Sequence, residues 1–249
     1  GAGGVQHDRR HHHKGHGYAE LDVRNAKNAV TEGVHHVQHR VGQRHGVIAD
    51  ALRQAQLRQL SRLDAQMLLL HVLGQSPRDR AWLLAHDDDL LEAHTQARWE
   101  ALCQRRLAGE PMAYLLGQRE FFGLNLQVDA RVLDPRPDTE TLVEWALDLL
   151  PSLPPHPAIA DLGTGSGAIA CAIAAHAPGA KMHACDASSD ALAVARDNAK
   201  QLKLPVQFAQ GSWLHAFGPE ARCFDLIVSN PPYIRADDPH LETLVHEPL

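Results

Sequence analysis

Hydrophobic residues recur with a helical period along residues 46–117, and polar residues fill most of the positions between them. Ser61 followed by Asp64 is typical of a capped helix start, and Gly74 and Gly109 suit helix ends. Further helices are predicted from Pro77 through Leu84 and over about Leu90–Leu107. Several short helices joined by short loops predict a small N-terminal helical bundle. No side chain in this segment indicates catalysis.

The pattern changes over residues 118–140, where aromatic and aliphatic residues surround Gly123. This composition predicts a β-hairpin with its turn near the glycine. Pro135 and Pro137 are expected to stiffen the connector that follows. Thr139 is predicted to cap the helix after the connector.

From residue 141 onward, apolar strand-like segments alternate with helical segments. Strands are predicted at residues 158–162, 182–186, 206–209 and 224–229, and helices at residues 167–176 and 189–202. This alternation predicts an α/β fold with a doubly wound, mostly parallel sheet that is covered on both faces. Ligands of such sheets bind at the carboxyl ends of the strands.

Residues 1–45 have no apolar period, and they contain nine of the 18 histidines. This segment is either a metal-binding tract or a disordered or non-native extension, and its lack of apolar residues favours the extension. We therefore divide the chain into this extension, a helical domain at 46–117, a hairpin and connector at 118–140, and a ligand-binding domain at 141–249.

The charge of the chain argues against one class of substrate. The formal net charge is −6, and residues 46–249 carry 17 Lys or Arg against 26 Asp or Glu. Tight binding to nucleic acid uses a basic surface, so nucleic acid is not expected as the direct substrate.

The four cysteines form no CxxC pair, which predicts reduced thiols, no metal site and a cytoplasmic protein. No apolar run has the ~20 residues of a membrane helix, and we expect a monomer.

A glycine-rich loop follows the first predicted strand of the sheet and opens a helix. Asp186 ends the next strand, where a carboxylate can accept hydrogen bonds from both hydroxyls of a ribose. Glycines let the backbone approach a ligand closely. The candidate cofactor-binding residues are Asp161, Gly163, Thr164, Gly165, Ser166, Gly167 and Asp186.

Two cofactors fit this loop. When Ala168 is counted, the glycine spacing also matches the dinucleotide pattern of NAD enzymes. Asp161, directly before the glycines, would attract the cationic methionine end of S-adenosylmethionine and would repel a pyrophosphate. The loop therefore favours S-adenosylmethionine over NAD.

The tetrapeptide Asn230-Pro231-Pro232-Tyr233 follows the last predicted strand. The Asn230 side-chain oxygen and the Pro231 carbonyl can both accept hydrogen bonds from one planar NH2 group, and Tyr233 can pack over that group. An amide nitrogen is a poor nucleophile, and two acceptors favour its electron-rich, pyramidal form in the transition state. These four residues are the candidate catalytic and substrate-binding residues, and Asn230 is also a candidate for cofactor contact.

Together these motifs resemble the class I S-adenosylmethionine-dependent methyltransferases that modify planar amino groups of adenine, cytosine or glutamine. Further segments resemble one branch, the release factor glutamine methyltransferase family, often called HemK or PrmC. These segments are Gly109-Glu110-Pro111, Tyr114, Gly117, Glu120–Gly123 and Pro135–Glu140.

The resemblance implies a Rossmann-like methyltransferase sheet and a substrate, the glutamine of the Gly-Gly-Gln motif in peptide-chain release factors. It implies that residues 163–167 contact the methionine part of the cofactor, Asp186 its ribose and Trp213 its adenine region, while the helical domain helps to dock the release factor. Ser212 and Asp134 depart from the family, since an acidic residue often precedes the tryptophan and an apolar residue usually precedes Pro135.

The family continues beyond Leu249 with further strands. The resemblance therefore implies a sheet that is incomplete at its C-terminal end, and a chain that is a poor enzyme by itself. Three alternatives stay open: a glutamine methyltransferase of a ribosomal protein, a DNA adenine or cytosine amino-methyltransferase, and a non-catalytic fragment that binds partners.

Overall fold

The computed structural model describes Gly1, residues 46–231 and residues 245–248. Apart from Gly1, the predicted extension at residues 1–45 lies outside the described residues. So do Pro232 and Tyr233, two of the predicted catalytic residues. No described helix combines the length and the apolar character that crossing a membrane would require.

Within the described residues, five helices precede the first strand. They are α1 (Ile48–Leu57), α2 (Arg62–Val72), α3 (Arg80–Ala85), α4 (Ala93–Leu107) and α5 (Met112–Leu116). The α2 helix is fully buried along Leu68, Leu69 and Leu70, and the Trp99 indole of α4 donates a hydrogen bond to the Ala65 carbonyl at 3.2 Å. The Ser61 hydroxyl accepts from the Asp64 N–H at 3.0 Å, so the cap predicted at this helix is confirmed.

Two helix starts differ from the sequence prediction. The helix expected at Pro77 begins at Arg80, because Asp79 caps it by accepting from the Trp82 N–H at 3.0 Å. The helix expected from Leu90 begins at Ala93, because Leu90 forms a β-bridge with Val47 instead. In both cases a hydrogen-bond partner outside the helix sets its first residue.

Strands β1 (Gln118–Phe121) and β2 (Leu124–Gln127) form the predicted hairpin. They pair antiparallel, with Phe121 opposite Leu124. The two turn residues, Phe122 and Gly123, both have positive φ, 49° and 76°. Two such residues give the tight turn whose twist matches that of the flanking strands.

The remaining strands form one parallel sheet in the order β5–β4–β3–β6. The strands are β3 (Ala158–Leu162), β4 (Lys181–Asp186), β5 (Val206–Gln210) and β6 (Leu226–Ser229), and the helices are α6 (Glu140–Leu149), α7 (Ala168–His176) and α8 (Ser189–Gln201). The chain moves outward from β3 to β5 and then returns to add β6 on the other side of β3. This architecture confirms the predicted α/β fold. Strand order reverses beside β3, because β4 lies on one side of it and β6 on the other. Sheets of this kind bind ligands at the point where the order reverses.

The two faces of the sheet are covered differently. On one face, Ile159 and Met182 pack in a core with the helices, and every residue of α7 from Ala168 to Ala174 is buried. On the other face, Ala160 and Cys185 pack against a short helical segment, Trp213–Arg222. The small side chains of α7 bring that helix close to the sheet, which fixes where the loop before it begins.

Candidate active site

The glycine loop joins the carboxyl end of β3 to the start of α7. Gly163, Gly165 and Gly167 have φ of 72°, 55° and 79°, the left-handed region that favours glycine. A Cβ on Gly163 or Gly165 would meet no heavy atom within 4 Å, whereas one on Gly167 would lie 3.1 Å from the Ala195 Cβ. Gly167 is therefore required by packing on α8, and the other two expose their backbone to open space.

Asp186, at the end of β4, holds this loop in place. Its carboxylate accepts from the Gly165 N–H and from the Ser188 N–H, each at 2.9 Å. The Cys185 carbonyl accepts from the N–H groups of Gly163 and Thr164, again at 2.9 Å. Each carboxylate oxygen keeps a further lone pair, so Asp186 can order the loop and still accept from a ligand.

Asp161 lies beneath the loop rather than on the cavity wall. Its exposed fraction is 0%, and its Oδ2 accepts from the Thr164 hydroxyl at 2.6 Å. Its Oδ1 is buried with no hydrogen-bond partner among the described residues. Burial raises the pKa of the Asp161 carboxyl to about 6, and the Thr164 hydrogen bond opposes part of that rise. The predicted contact of Asp161 with a cofactor stays a prediction.

This raised pKa gives a pH-dependent stability. The pKa in the fold exceeds the ~3.9 of an unfolded aspartate, so the native state is stabilised at low pH and loses that stability as pH rises through about 6. Asp161→Asn cannot ionise. We expect the unfolding free energy of the wild type, relative to this variant, to rise by about 1 kcal/mol from pH 7 to pH 5. Urea unfolding at the two pH values tests this, and a difference independent of pH would contradict it.

An open cavity of about 400 Å³ lies at the carboxyl ends of β3, β4 and β6. Eight of the predicted site residues line it: Gly163, Thr164, Gly165, Ser166, Asp186, Trp213, Asn230 and Pro231. Asp161 and Gly167 are not among the lining residues, and Pro232 and Tyr233 lie outside the described part of the chain. Within the described residues, no group of three or more His, Cys, Asp or Glu side chains could hold a metal.

Trp213 stands at one side of this cavity with 55% of its surface exposed. Its φ is 52°, which is unusual for a large side chain. Gly211 allows this turn, because a Cβ at that position would come within 2.9 Å of the Ala216 Cα. The indole therefore offers a flat apolar surface suited to a planar ring.

Asn230 follows β6 and faces the glycine loop across the cavity. The preceding Ser229 hydroxyl donates to the Leu162 carbonyl at 2.8 Å, which ties the ends of β6 and β3 together. The Asn230 Nδ2 donates to the Thr139 hydroxyl at 3.1 Å. No hydrogen bond of the Asn230 side-chain oxygen falls within the described residues.

The prediction that Thr139 caps its helix is wrong. Thr139 does precede α6, but its side chain makes no capping hydrogen bond and contacts Asn230 instead. Thr139 also lines the cavity. The local sequence pattern predicted the cap, but the Thr139 hydroxyl accepts a hydrogen bond from a residue 91 positions away instead.

The sequence reasoning missed Asn198, on the buried side of α8, where 1% of its surface is exposed. Its side chain accepts from the Gln127 N–H at 2.7 Å and donates to the carbonyls of Gln127 and Ser166, both at 2.9 Å. It thus joins the hairpin to the glycine loop. The available signal was an asparagine at helical spacing from the apolar residues Val194 and Ala195.

The departure at Asp134 places a carboxylate inside the connector. Asp134 is buried, and burial raises its pKa. Arg119 approaches it at 3.4 Å and Arg136 at 3.9 Å, and Arg136 also binds Glu247 at 2.6 Å. The two guanidinium groups offset part of the cost of burying this carboxylate, and Arg136 extends the network to the cavity wall.

The chain was compared with known protein families and curated relatives. Residues 48–117 match the family described as PrmC N-terminal domain, and residues 145–247 match the family described as Methyltransferase small domain. The release factor glutamine methyltransferase of Bordetella pertussis is 54% identical over 182 residues, which are 73% of this chain and 66% of that protein. The corresponding protein of Xylella fastidiosa is 47% identical over 192 residues, 77% of this chain and 68% of that protein.

Among solved structures, an S-adenosylmethionine-dependent methyltransferase of Agrobacterium tumefaciens matches with a TM-score of 0.40 and 20% identity. The match covers 46% of this chain and 39% of that one.

The parallel sheet, its glycine loop and the family matches define an S-adenosylmethionine-dependent methyltransferase fold. S-adenosylmethionine is therefore the cofactor of this class, as the sequence predicted. More particularly, the chain belongs to the release factor glutamine methyltransferase family, which confirms the resemblance seen in the sequence. The chain spans about two thirds of the length of these relatives, between 61% and 68% for those most similar to it.

Proposed function

We propose that this site transfers a methyl group from S-adenosylmethionine to the side-chain amide nitrogen of the glutamine in the Gly-Gly-Gln motif of peptide-chain release factors. One observation carries the proposal. Asn230 lines the same cavity as the glycine loop and Asp186, and its side-chain oxygen is unpaired among the described residues. The names of the relatives supply the release factor as the protein substrate.

The protein contributes to this reaction mainly by positioning the reacting groups. When bound, S-adenosylmethionine supplies an electrophilic methyl group on a positively charged sulfur. The Asn230 oxygen and the Pro231 carbonyl accept the two N–H groups of the glutamine amide and aim its nitrogen at that methyl group. As the nitrogen becomes positive, the same acceptors stabilise the charge. The new bond to the nitrogen would replace the methyl–sulfur bond and leave a neutral thioether, and the surplus proton would then pass from the nitrogen to solvent, so no strong base is required.

We assign the cofactor to the residues around Asp186. The open backbone of Gly163 and Gly165 receives the methionine part, the Asp186 carboxylate accepts from the ribose hydroxyls, and the Trp213 indole packs on the adenine. These roles rest on the lining of one cavity and on the free lone pairs of Asp186. Because release factors act in translation, the proposal agrees with the predicted cytoplasmic location, and the predicted monomer stays a prediction.

Asp186→Ala is expected to weaken S-adenosylmethionine binding at least about tenfold, since hydrogen bonds to a charged group contribute roughly 1.5–3 kcal/mol. The loss has two causes, the missing ribose contact and the released Gly165 N–H. Asp186→Asn is the matched control, because it keeps the shape and one acceptor. Its affinity should lie between those of the wild type and Asp186→Ala. Calorimetry measures the affinities, and an unchanged affinity in Asp186→Ala would rule out this role.

Labelled S-adenosylmethionine tests the function directly. The chain is incubated separately with a release factor, with the same release factor carrying Gln→Ala in its Gly-Gly-Gln motif, with ribosomal proteins and with DNA. We expect label in the first sample alone. Label in the motif variant, in ribosomal proteins or in DNA would overturn the proposed substrate. No label in any sample, in the presence of measured cofactor binding, would favour the partner-binding alternative.

A further inference from the structure

We infer that Thr139 is a positioning residue that holds the Asn230 carboxamide in place, with its oxygen toward the substrate. The inference rests on the proposed function, because it concerns the acceptor for the glutamine amide. Its basis is the hydrogen bond of 3.1 Å from Asn230 Nδ2 to the Thr139 hydroxyl, between two residues that line the same cavity.

The orientation of this carboxamide decides whether it can help the reaction. Its oxygen and its NH2 group have nearly the same shape, so packing distinguishes them poorly and hydrogen bonds must do so. When the Thr139 hydroxyl accepts from Nδ2, the oxygen is left for the NH2 group of the substrate. With the carboxamide turned over, two NH2 groups would face each other and the substrate would lose one acceptor.

Thr139 is held firmly enough to act in this way. Its own N–H donates to the Arg136 carbonyl at 3.0 Å, in a short helical turn that begins at Pro137. The next residue, Glu140, accepts from the Phe122 N–H at 3.0 Å, which anchors the start of α6 to the hairpin. The Thr139 backbone therefore has a fixed place that does not depend on Asn230.

Asn230 is anchored from the other side. The Ser229 hydroxyl donates to the Leu162 carbonyl at 2.8 Å, so the backbone before Asn230 is tied to the end of β3. With both backbones fixed on separate elements, the hydrogen bond between the two side chains mainly restrains the rotation of the carboxamide. Preorganised groups of this kind lower the barrier without moving during the reaction.

The contact is also separable from helix stability. A threonine before a helix often caps it, and losing such a cap destabilises the helix. The Thr139 side chain makes no such bond to α6. Removing its hydroxyl should therefore change turnover more than folding.

The test compares Thr139→Val, which keeps the shape without the hydroxyl, with Thr139→Ser, which keeps the hydroxyl. We expect kcat to fall about 3- to 10-fold in Thr139→Val, as for one lost hydrogen bond, and to recover within about twofold in Thr139→Ser. The Kd for S-adenosylmethionine and the Tm should stay unchanged. Thr95→Val, on α4, is the matched control. Wild-type kcat in Thr139→Val would overturn the inference, as would a loss that Thr139→Ser does not restore.

A second measurement needs no turnover. The side-chain NH2 signals of Asn230 in a ¹⁵N-labelled sample are assigned by their absence in Asn230→Asp. We expect them to shift in Thr139→Val and to stay near their wild-type positions in Thr139→Ser. Unchanged signals in Thr139→Val would overturn the inference even for a catalytically silent chain. Should Thr139→Val fail to fold, Thr139→Ala gives the same comparison.

The two measurements separate the inference from the proposed function. If the wild type methylates no release factor but the NH2 signals respond as expected, the function is wrong and the contact stands. If the wild type is active and neither kcat nor the signals respond, the function stands and the role of Thr139 is wrong.

Discussion

Asn230→Ala is expected to lower the rate of release factor methylation about 10²–10³-fold, the usual cost of losing one aligned acceptor in a transition state. In the proposed function, the Asn230 oxygen is one of two acceptors for the glutamine amide, and alanine removes it without removing the Pro231 carbonyl. Because the glycine loop and Asp186 are untouched, the Kd for S-adenosylmethionine should change by only a few-fold. Single-turnover methyl transfer and calorimetry give the two quantities.

Asn125→Ala serves as the matched control for this variant. Asn125 is an exposed asparagine of the hairpin, whose Nδ2 donates to the Gln118 side chain at 2.8 Å. It should keep wild-type turnover and affinity. If Asn230→Ala turned over near the wild-type rate, Asn230 could not be the acceptor, and the proposed function would lose its main support. A parallel loss of cofactor affinity would instead make Asn230 a cofactor-binding residue.

The sheet was predictable because its sequence signals are local and strong. Strand β3 runs over Ala158–Leu162 as predicted, and β4 and β5 each differ from prediction by a single residue at one end. Four of the five residues of β3 are buried, as in a strand covered on both faces, and the glycine loop marks its end. The place of the cavity could be predicted as well, because parallel strands bring their carboxyl ends to one edge of the sheet.

The sequence could not reveal which polar groups would pair. Thr139 bonds a residue 91 positions away, and Asn198 bonds one 71 positions away. Local preferences suggested a helix cap for the first and nothing for the second, because neither partner lies within reach of a local pattern. Asp161 shows the same limit: its position before the glycines was evident, but its complete burial depends on α7 lying close to the sheet.

Three side chains that support the cavity have one feature in common. Each holds a segment of the cavity wall in place: Asp186 binds the glycine loop, Ser229 ties the start of the Asn230 segment to the end of β3, and Asn198 binds the Ser166 carbonyl. Reactive geometry of this kind depends on such supports, since a shift of about 1 Å can cost 10²-fold in rate. The support with the most hydrogen bonds, Asn198, should therefore affect both folding and cofactor binding.

Asn198→Ala is expected to destabilise the fold by about 2–4 kcal/mol. The substitution leaves the Gln127 N–H and the carbonyls of Gln127 and Ser166 without their partner, and each unpaired buried group costs about 1–3 kcal/mol. Gln127 lies near solvent, so water recovers part of its loss, which keeps the total below the sum of three buried groups. A fall in Tm of roughly 5–10 °C should accompany the change.

Two further variants make this result specific to Asn198. Asn125→Ala, on the surface, should stay within about 0.5 kcal/mol of the wild type. Asn198→Asp keeps the acceptor for the Gln127 N–H but loses both donors and places a charge in a site that is 1% exposed, so it should destabilise at least as much as alanine. Because Ser166 belongs to the glycine loop, S-adenosylmethionine affinity should fall in both Asn198 variants and stay unchanged in Asn125→Ala. Urea unfolding and calorimetry measure these effects, and an Asn198→Ala protein as stable as the wild type would show that the hairpin and the loop hold their positions without this bridge.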